Sequence, residues 1–213
     1  IEIKTNGGDI NISNVNGNFR GHSFGGNIRI SQSNGEIYSS CIGGNIHMND
    51  LNGKITSQTS GGSINLLKIQ GTEINCNASG GLIDCKNISG KIILKNSGEG
   101  INIKNASGNL DLISTGGSIF LDEVKGSIKC KASIGVIKMS NISGKVESLN
   151  SNGNIFLELL YDSSIKDFGI HLETHSGDVN LDIPKGLPGS ITSTVYKSKS
   201  YNYICDAENQ SYI

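Results

Sequence analysis

Three residues near the C-terminal end offer the sharpest prospect of chemistry. His171, Glu173 and His175 alternate with Ile170, Leu172 and Thr174, so in a strand all three project from one face. Successive members then stand about 6.5 Å apart along the backbone. Two imidazoles and a carboxylate arranged in this way can converge on a divalent metal such as zinc. The plainer account is a solvated polar face. The chain is therefore expected to hold no metal and no cofactor, with His171, Glu173 and His175 as the one candidate set.

Acid–base chemistry on a sugar needs clustered carboxylates and a basic residue on one face. Asp84, Asp111, Asp122, Glu123 and Glu147 are outward or at turns, but the repeat described below distributes them over different columns and faces. They read as solubilising charge, and no catalytic residue is expected. His22 and His47 read as isolated and exposed. The five cysteines, Cys41, Cys76, Cys85, Cys130 and Cys205, are odd in number and lack a CxxC pair, so neither a complete disulfide framework nor a zinc site is indicated. Free thiols in small apolar core positions are the expectation, which leans toward a reducing compartment without requiring one.

What positions these residues is a repeat. Glycines fall at Gly8, Gly26, Gly44, Gly62, Gly81, Gly117, Gly135 and Gly153, and a second series falls halfway between them, at Gly17, Gly35, Gly53, Gly71, Gly90, Gly108, Gly126 and Gly144. The period is 18, with one extra residue entering near Thr72 and Glu73 and a local adjustment where Gly98 and Gly100 bracket Glu99. Two residues after the first turn stands an unbroken isoleucine column: Ile10, Ile28, Ile46, Ile64, Ile83, Ile101, Ile119, Ile137 and Ile155. A second apolar column follows two residues on, from Ile12 to Leu157, and a third after the second turn, from Phe19 to Val146. At the bend between them runs Val15, Ser33, Leu51, Ile69, Ile88, Ala106, Val124, Ile142 and Leu160. Alternation at period two marks strands with one buried face.

No single coil can bury such a face. Stacked coils can, because like residues then lie over like at about 4.8 Å and the backbone pairs with the coils on either side. The chain is thus all-β: one single-domain parallel β-solenoid over residues 1–213, with two strands per 18-residue coil, about nine coils and a right-handed course. Residues 1–160 form the regular coils, and residues 161–213 form irregular last coils and a C-terminal cap. Between Gly153 and Gly177 the spacing stretches to 24, which places a six-residue insertion or bend near Tyr161–Phe168. Pro184 and Pro188 stand where a strand must stop, and the tail with Tyr196, Tyr201, Tyr203 and Tyr212 would cover the open end of the stack.

Two rival architectures fail. A hexapeptide helix wants apolar residues every six positions, but stepping from Ile28 meets Asn34 and Ser40. A calcium-binding nonapeptide roll needs glycine and aspartate where this chain has isoleucine and neutral or basic residues. The outward row Asn11, Arg29, His47, Asn65, Asp84, Asn102, Phe120, Lys138 and Phe156 lacks the regular threonine lattice of an ice-binding face.

Residues Glu173 to Ser193, ETHSGDVNLDIPKGLPGSITS, together with the repeated SGxI and GGxIxI units, resemble the adhesin domain family of bacterial β-strand-repeat proteins, the head-GIN-like adhesin domains. The resemblance spans essentially the whole chain. It implies a non-catalytic structural or binding module at the cell surface or envelope, acting on a protein or glycan partner, with self-association a further role. The five cysteines keep an intracellular location open. A carbohydrate-active β-helix enzyme of the lyase or hydrolase type is the alternative.

Bulk composition narrows the partners. Eighteen basic and 19 acidic residues give a net charge of -1, without the basic footprint that nucleic acid requires. No apolar run approaches the ~20 residues that span a bilayer, so direct membrane insertion is not expected. The sequence opens on Ile1 rather than Met and is expected to be a piece of a longer chain.

Overall fold

The computed structural model describes residues 1–165 and 168–187. They form one 13-stranded sheet in which every pairing is parallel. The first coils are built from β1 (Glu2–Thr5), β2 (Ile10–Ser13) and β3 (Phe19–Ser23). The body is β4 (Ile28–Cys41), β5 (Ile46–Thr59), β6 (Ile64–Ala78), β7 (Leu82–Asn96), β8 (Gly100–Ser114), β9 (Ser118–Ala132) and β10 (Ile137–Asn150). Three short strands, β11 (Ile155–Leu159), β12 (Ile170–Thr174) and β13 (Val179–Asp182), complete the stack. The molecule is a β-solenoid of about nine turns, and among the described residues there is no helix.

The isoleucine column forms as its spacing requires. Ile28↔Ile46, Ile46↔Ile64, Ile64↔Ile83, Ile83↔Ile101, Ile101↔Ile119 and Ile119↔Ile137 are register partners, and each of these isoleucines is fully buried. The extra residue is absorbed at Thr72: the register passes from Gly53↔Gly71 to Lys54↔Glu73, which leaves Thr72 bulged. Cys76, Cys85 and Cys130 fill core positions. Burial pushes the Cys76 thiol up to about 12, and raises Cys85 and Cys130 in the same direction, because a thiolate would have no water to solvate it.

The two expected strands of each coil are, in β4 to β10, one ladder of 14 or 15 residues folded around a corner. One left-handed residue makes the corner in each coil: Asn14, Gln32, Asp50, Lys68, Asn87, Asn105, Glu123 or Asn141, with φ between 49° and 59°. Pairing skips that residue, as from Ser31↔Asn49 to Ser33↔Leu51, and resumes at once. The second-series glycine follows three residues later, at φ 127° in Gly35 and Gly53. A Cβ on Gly53 would lie 2.2 Å from the Gly35 carbonyl oxygen, so the close stacking of these corners requires glycine. Buried Ser33 is satisfied locally: its hydroxyl donates to the Ser31 carbonyl at 2.8 Å and accepts the Val15 amide at 3.0 Å.

One expectation is corrected at the end of the regular coils. Leu160 does not enter the core column. The ladder slips after Met139↔Leu157, so Ile142 pairs with Leu159. Leu159 is buried and Leu160 is 53% exposed, since a one-residue slip exchanges the faces of a strand. The insertion expected beyond it is present: Val146 pairs with Ile170, 24 residues on, where Ile128 and Val146 are 18 apart. The inserted loop returns over earlier coils. Lys125 Nζ reaches Asp162 Oδ2 at 2.7 Å and Ser164 Oγ at 2.9 Å, and Tyr161 stacks on Phe168 at 6.2 Å. The lysine contact holds the Asp162 carboxyl well below the usual carboxylate range. Pro188, the tyrosines from Tyr196 onward and Cys205 lie outside the described residues, and with them the expected cap.

Candidate functional site

The face carrying β2, the first segments of β4 to β10 and β11 presents two outward rows. In the register of the ladder, Asn11, Arg29, His47, Asn65, Asp84, Asn102 and Phe120 succeed one another. Beside them run Ser13, Ser31, Asn49, Leu67, Lys86 and Lys104. Between the rows lies a shallow trough of about 740 Å³ extending from Asn11 to Lys86. A second depression of about 470 Å³ continues it past Asn102, Lys104 and Phe120 to Ser140. The alternation that buries isoleucines on one side of each strand sets this polar row on the other.

Part of the charge along the trough is paired within the protein. Arg29 Nη1 donates to Asp9 Oδ2 at 2.7 Å and the Asn27 amide to Asp9 Oδ1 at 2.8 Å, and these bonds lower the Asp9 carboxyl. Lys104 Nζ lies 2.8 Å from Asp122 Oδ2 and 3.8 Å from Glu123. His47 is half-buried, and burial followed by the nearby Arg29 charge lowers its pKa, which favours neutral imidazole. Its Nδ1 stands 3.2 Å from the Asn65 amide nitrogen. What remains free to bind is a line of amides and hydroxyls, one imidazole, the charged side chains of Asp84 and Lys86 and, at Phe120, an aromatic ring 45% exposed.

His47 and His22 are therefore not isolated. His22 packs edge-on against Tyr38 at 5.8 Å, and the Arg20 guanidinium lies 5.9 Å from that ring's centroid. Gln58 Nε2 donates to the Tyr38 hydroxyl at 2.6 Å. These residues form a second polar and aromatic patch, on the face carrying β1, β3 and the later segments of the long strands.

The structure places His171 and Glu173 on the exposed side of β12, with His171 Nε2 3.6 Å from Glu173 Oε2. His175 follows the strand and donates its backbone amide to Asn150 O at 3.1 Å. Among the described residues, no group of three or more His, Cys, Asp or Glu is arranged to hold a metal. Of the carboxylates, Asp84 lines the trough and Glu123 occupies a left-handed corner. Asp111 and Glu147 correct the expectation of separate columns, because Asp111↔Lys129↔Glu147 is one continuous row. Lys129 stands between them and reaches Glu147 at 2.9 Å. Hydrogen bonds from Lys104 and Lys129 lower the Asp122 and Glu147 carboxyls respectively. A general acid on a glycosidic oxygen needs the opposite shift.

Two features escape the sequence reading. One is the left-handed corner, filled by asparagine in four of eight coils; that asparagine preference is its only signal. The other is a column of small or polar residues three before each first-series glycine, several of which tie successive turns together. Ser23, Thr59 and Thr174 donate to the carbonyls of Gly8, Gly44 and Gly153 in the preceding coil, and Cys41 does the same through sulfur, to Gly26 at 3.0 Å.

Fold and surface together define a parallel β-solenoid bearing an axial row of hydrogen-bonding side chains on a lateral face. No family model, no curated protein and no solved structure matches the chain.

Proposed function

We propose that this chain is a non-catalytic, adhesin-like binding module that presents its solenoid surface to a protein or glycan partner. The observation that carries the reading is the trough from Asn11 to Lys86. It sets amide, hydroxyl and imidazole groups at the coil spacing on a rigid sheet, beside the paired Arg29 and the side chains of Asp84 and Lys86. Such a row fits an extended partner lying along the solenoid axis, bound by many modest hydrogen bonds. A surface or envelope location belongs to the same reading. The carbohydrate-active alternative would need a carboxyl held protonated beside a second carboxylate, whereas Asp122 and Glu147 are shifted toward ionisation.

The test presents the chain to a displayed peptide library and to an immobilised panel of neutral and acidic glycans. Arg29→Ala combined with Asn65→Ala serves as the counter-screen. Arg29 and Asp9 are both substantially exposed, and such surface pairs contribute ~1 kcal/mol or less to stability, so the variant keeps its fold. A ligand from one of the two sources is expected to lose at least about tenfold in affinity, roughly the effect of one or two hydrogen bonds. Ligands that bind both proteins equally, or none from either source, contradict the proposal. New reducing ends on a bound glycan would favour the enzyme instead.

A further inference from the structure

The two ends of the stack carry related sequences, identical at four of eight positions, in the same layer. Thr5-Asn6-Gly7-Gly8-Asp9-Ile10-Asn11-Ile12 joins β1 to β2, and Thr174-His175-Ser176-Gly177-Asp178-Val179-Asn180-Leu181 joins β12 to β13. Threonine, glycine, aspartate and asparagine recur at equal positions, with isoleucine exchanged for valine or leucine. Both ends also interrupt the same bonding pattern. Inside the stack, the Oδ1 of Asp9, Asn27, Asn45 and Asn154 each accepts the backbone amide of the corresponding residue one coil on, at 2.8 to 2.9 Å. The Asp178 carboxylate is the next acceptor in that series, and among the described residues nothing donates to it. In the parallel series, the residue at the Thr5 position donates to the preceding turn carbonyl, as Thr174 does to Gly153 at 2.9 Å. Gly177 O is the next acceptor, and the Thr5 hydroxyl proton is without an acceptor among the described residues.

Apolar columns stop open at the same places. Val179 is 44% and Leu181 37% exposed, although their partners one coil inward, Ile155 and Leu157, are buried. At the other end Ile3 and Ile12 are only partly covered and Ile1 is 67% exposed. We infer that the β12–β13 edge of one copy receives the β1–β2 edge of a second copy, so that the solenoid stacks head to tail in its own register. The contact sets Leu172 on Ile3 and Leu181 on Ile12, lets Asp178 accept the Asp9 amide, and lets Thr5 donate to Gly177. On the outer face it places Glu173 against Lys4 and His171 against Glu2, opposite in sign when the imidazole is protonated. One contact opposes it: the Asp178 and Asp9 carboxylates become neighbours, eased by the pairing of Asp9 with Arg29. A heterologous contact of this kind does not close, so it propagates as a filament.

The test is sedimentation of the full chain over a range of concentrations. Mass is expected to rise past the dimer. Lys4→Glu and Glu173→Lys should each weaken association by at least about threefold, as exposed ion pairs do, and their combination should restore it. Asp178→Asn keeps the acceptor while removing the like charge and should tighten association; Asp178→Ala should weaken it. A monomer at every concentration, a mass that stops at the dimer, or a charge swap without restoration would overturn the inference. A covalent check uses Lys4→Cys with Glu173→Cys under mild oxidation. Disulfides between chains support the stacking. A disulfide within one chain from the residue 173 thiol to Cys205 overturns it, since the chain's own residues 188–213 would then occupy the edge.

Discussion

Gly126→Ala should lower the unfolding free energy by more than about 3 kcal/mol, while Gly17→Ala should cost about half as much or less. Both glycines sit at the second corner with φ far outside the range of L side chains, 135° and 121°. They share the backbone strain of the substitution, which is of order 1–3 kcal/mol. They differ in what lies above them. A Cβ on Gly126 would come within 2.1 Å of the Gly108 carbonyl oxygen, whereas nothing stands within 4 Å of one on Gly17. Relief at Gly126 requires the two coils to separate, which disturbs the Gly108↔Gly126 and Gly126↔Gly144 pairings together. Urea unfolding of the two variants beside the parent protein measures the difference. Equal losses would mean that the corners do not stack as described.

Asn96→Ala should be comparably damaging, by about 3 kcal/mol or more, for a different reason. Its buried side chain is a hub: Nδ2 donates to Gly81 O at 2.6 Å, while Oδ1 accepts the Gly98 and Gly100 amides at 2.9 and 2.8 Å. Alanine leaves the Gly81 carbonyl and the Gly100 amide without partners in a buried site and the Gly98 amide without one in a half-buried site, and each unmet buried group costs about 1–3 kcal/mol. The equivalent positions Ala78 and Ala132 hold alanine already. At the first of these, the Gly81 amide donates to Gly62 O at 3.2 Å, so that turn makes its own connection. Where the column keeps a polar side chain, as at Asn150, similar bonds run to the Gly135 carbonyl and the Asn152 amide, but Asn96 is the residue that accepts two glycine amides at once. Thermal unfolding with amide exchange at Gly98 and Gly100 checks the expected loss. Unchanged protection of both amides would contradict the role of Asn96.

These two positions show where the sequence is transparent and where it is not. The isoleucine column is legible because hydrophobic burial imposes one residue type at a fixed interval, and the corner glycines because close backbone approach excludes every other side chain. The column holding Asn96 is opaque: Ser, Thr, Cys, Asn and Ala all occur there, because what is held constant is a contact to a turn carbonyl that several groups can make or that the backbone can replace. The left-handed corner is opaque in a similar way, since Asn, Gln, Asp, Lys and Glu all occupy it and the geometry is enforced by the ladder on both sides. Leu160 misleads because the 18-residue period counted from Ile142 selects it, whereas β11 keeps strict alternation from Ile155 through Leu157 to Leu159 without the left-handed corner residue of the earlier coils, so that Leu159 pairs with Ile142 in the core.

The candidate site was half legible. Its outward row could be written down from the period alone, yet as a string of Asn, Arg, His and Asp it resembles ordinary surface. Only the structure adds the trough, the Asp9–Arg29 pairing and the half-burial of His47. His171, Glu173 and His175 illustrate the converse. Their alternation correctly gives a shared exposed side of the strand, but the distances within a strand do not by themselves gather ligands around a metal.

Everything above depends on in-register stacking of 18-residue coils, and isoleucine methyl nuclear Overhauser spectroscopy tests it most directly. Protein labelled only at isoleucine δ1-methyls should show a chain of cross-peaks linking Ile83, Ile101, Ile119, Ile137 and Ile155 in that order. Partners in successive coils lie about 5 Å apart, and those two coils apart about 10 Å. Ile64 should connect to Ile83 across the one-residue bulge. Cross-peaks that join Ile101 to Ile137 while omitting Ile119, or an isoleucine at position 83 without contact to Ile64 and Ile101, would contradict the solenoid and the surface built on it.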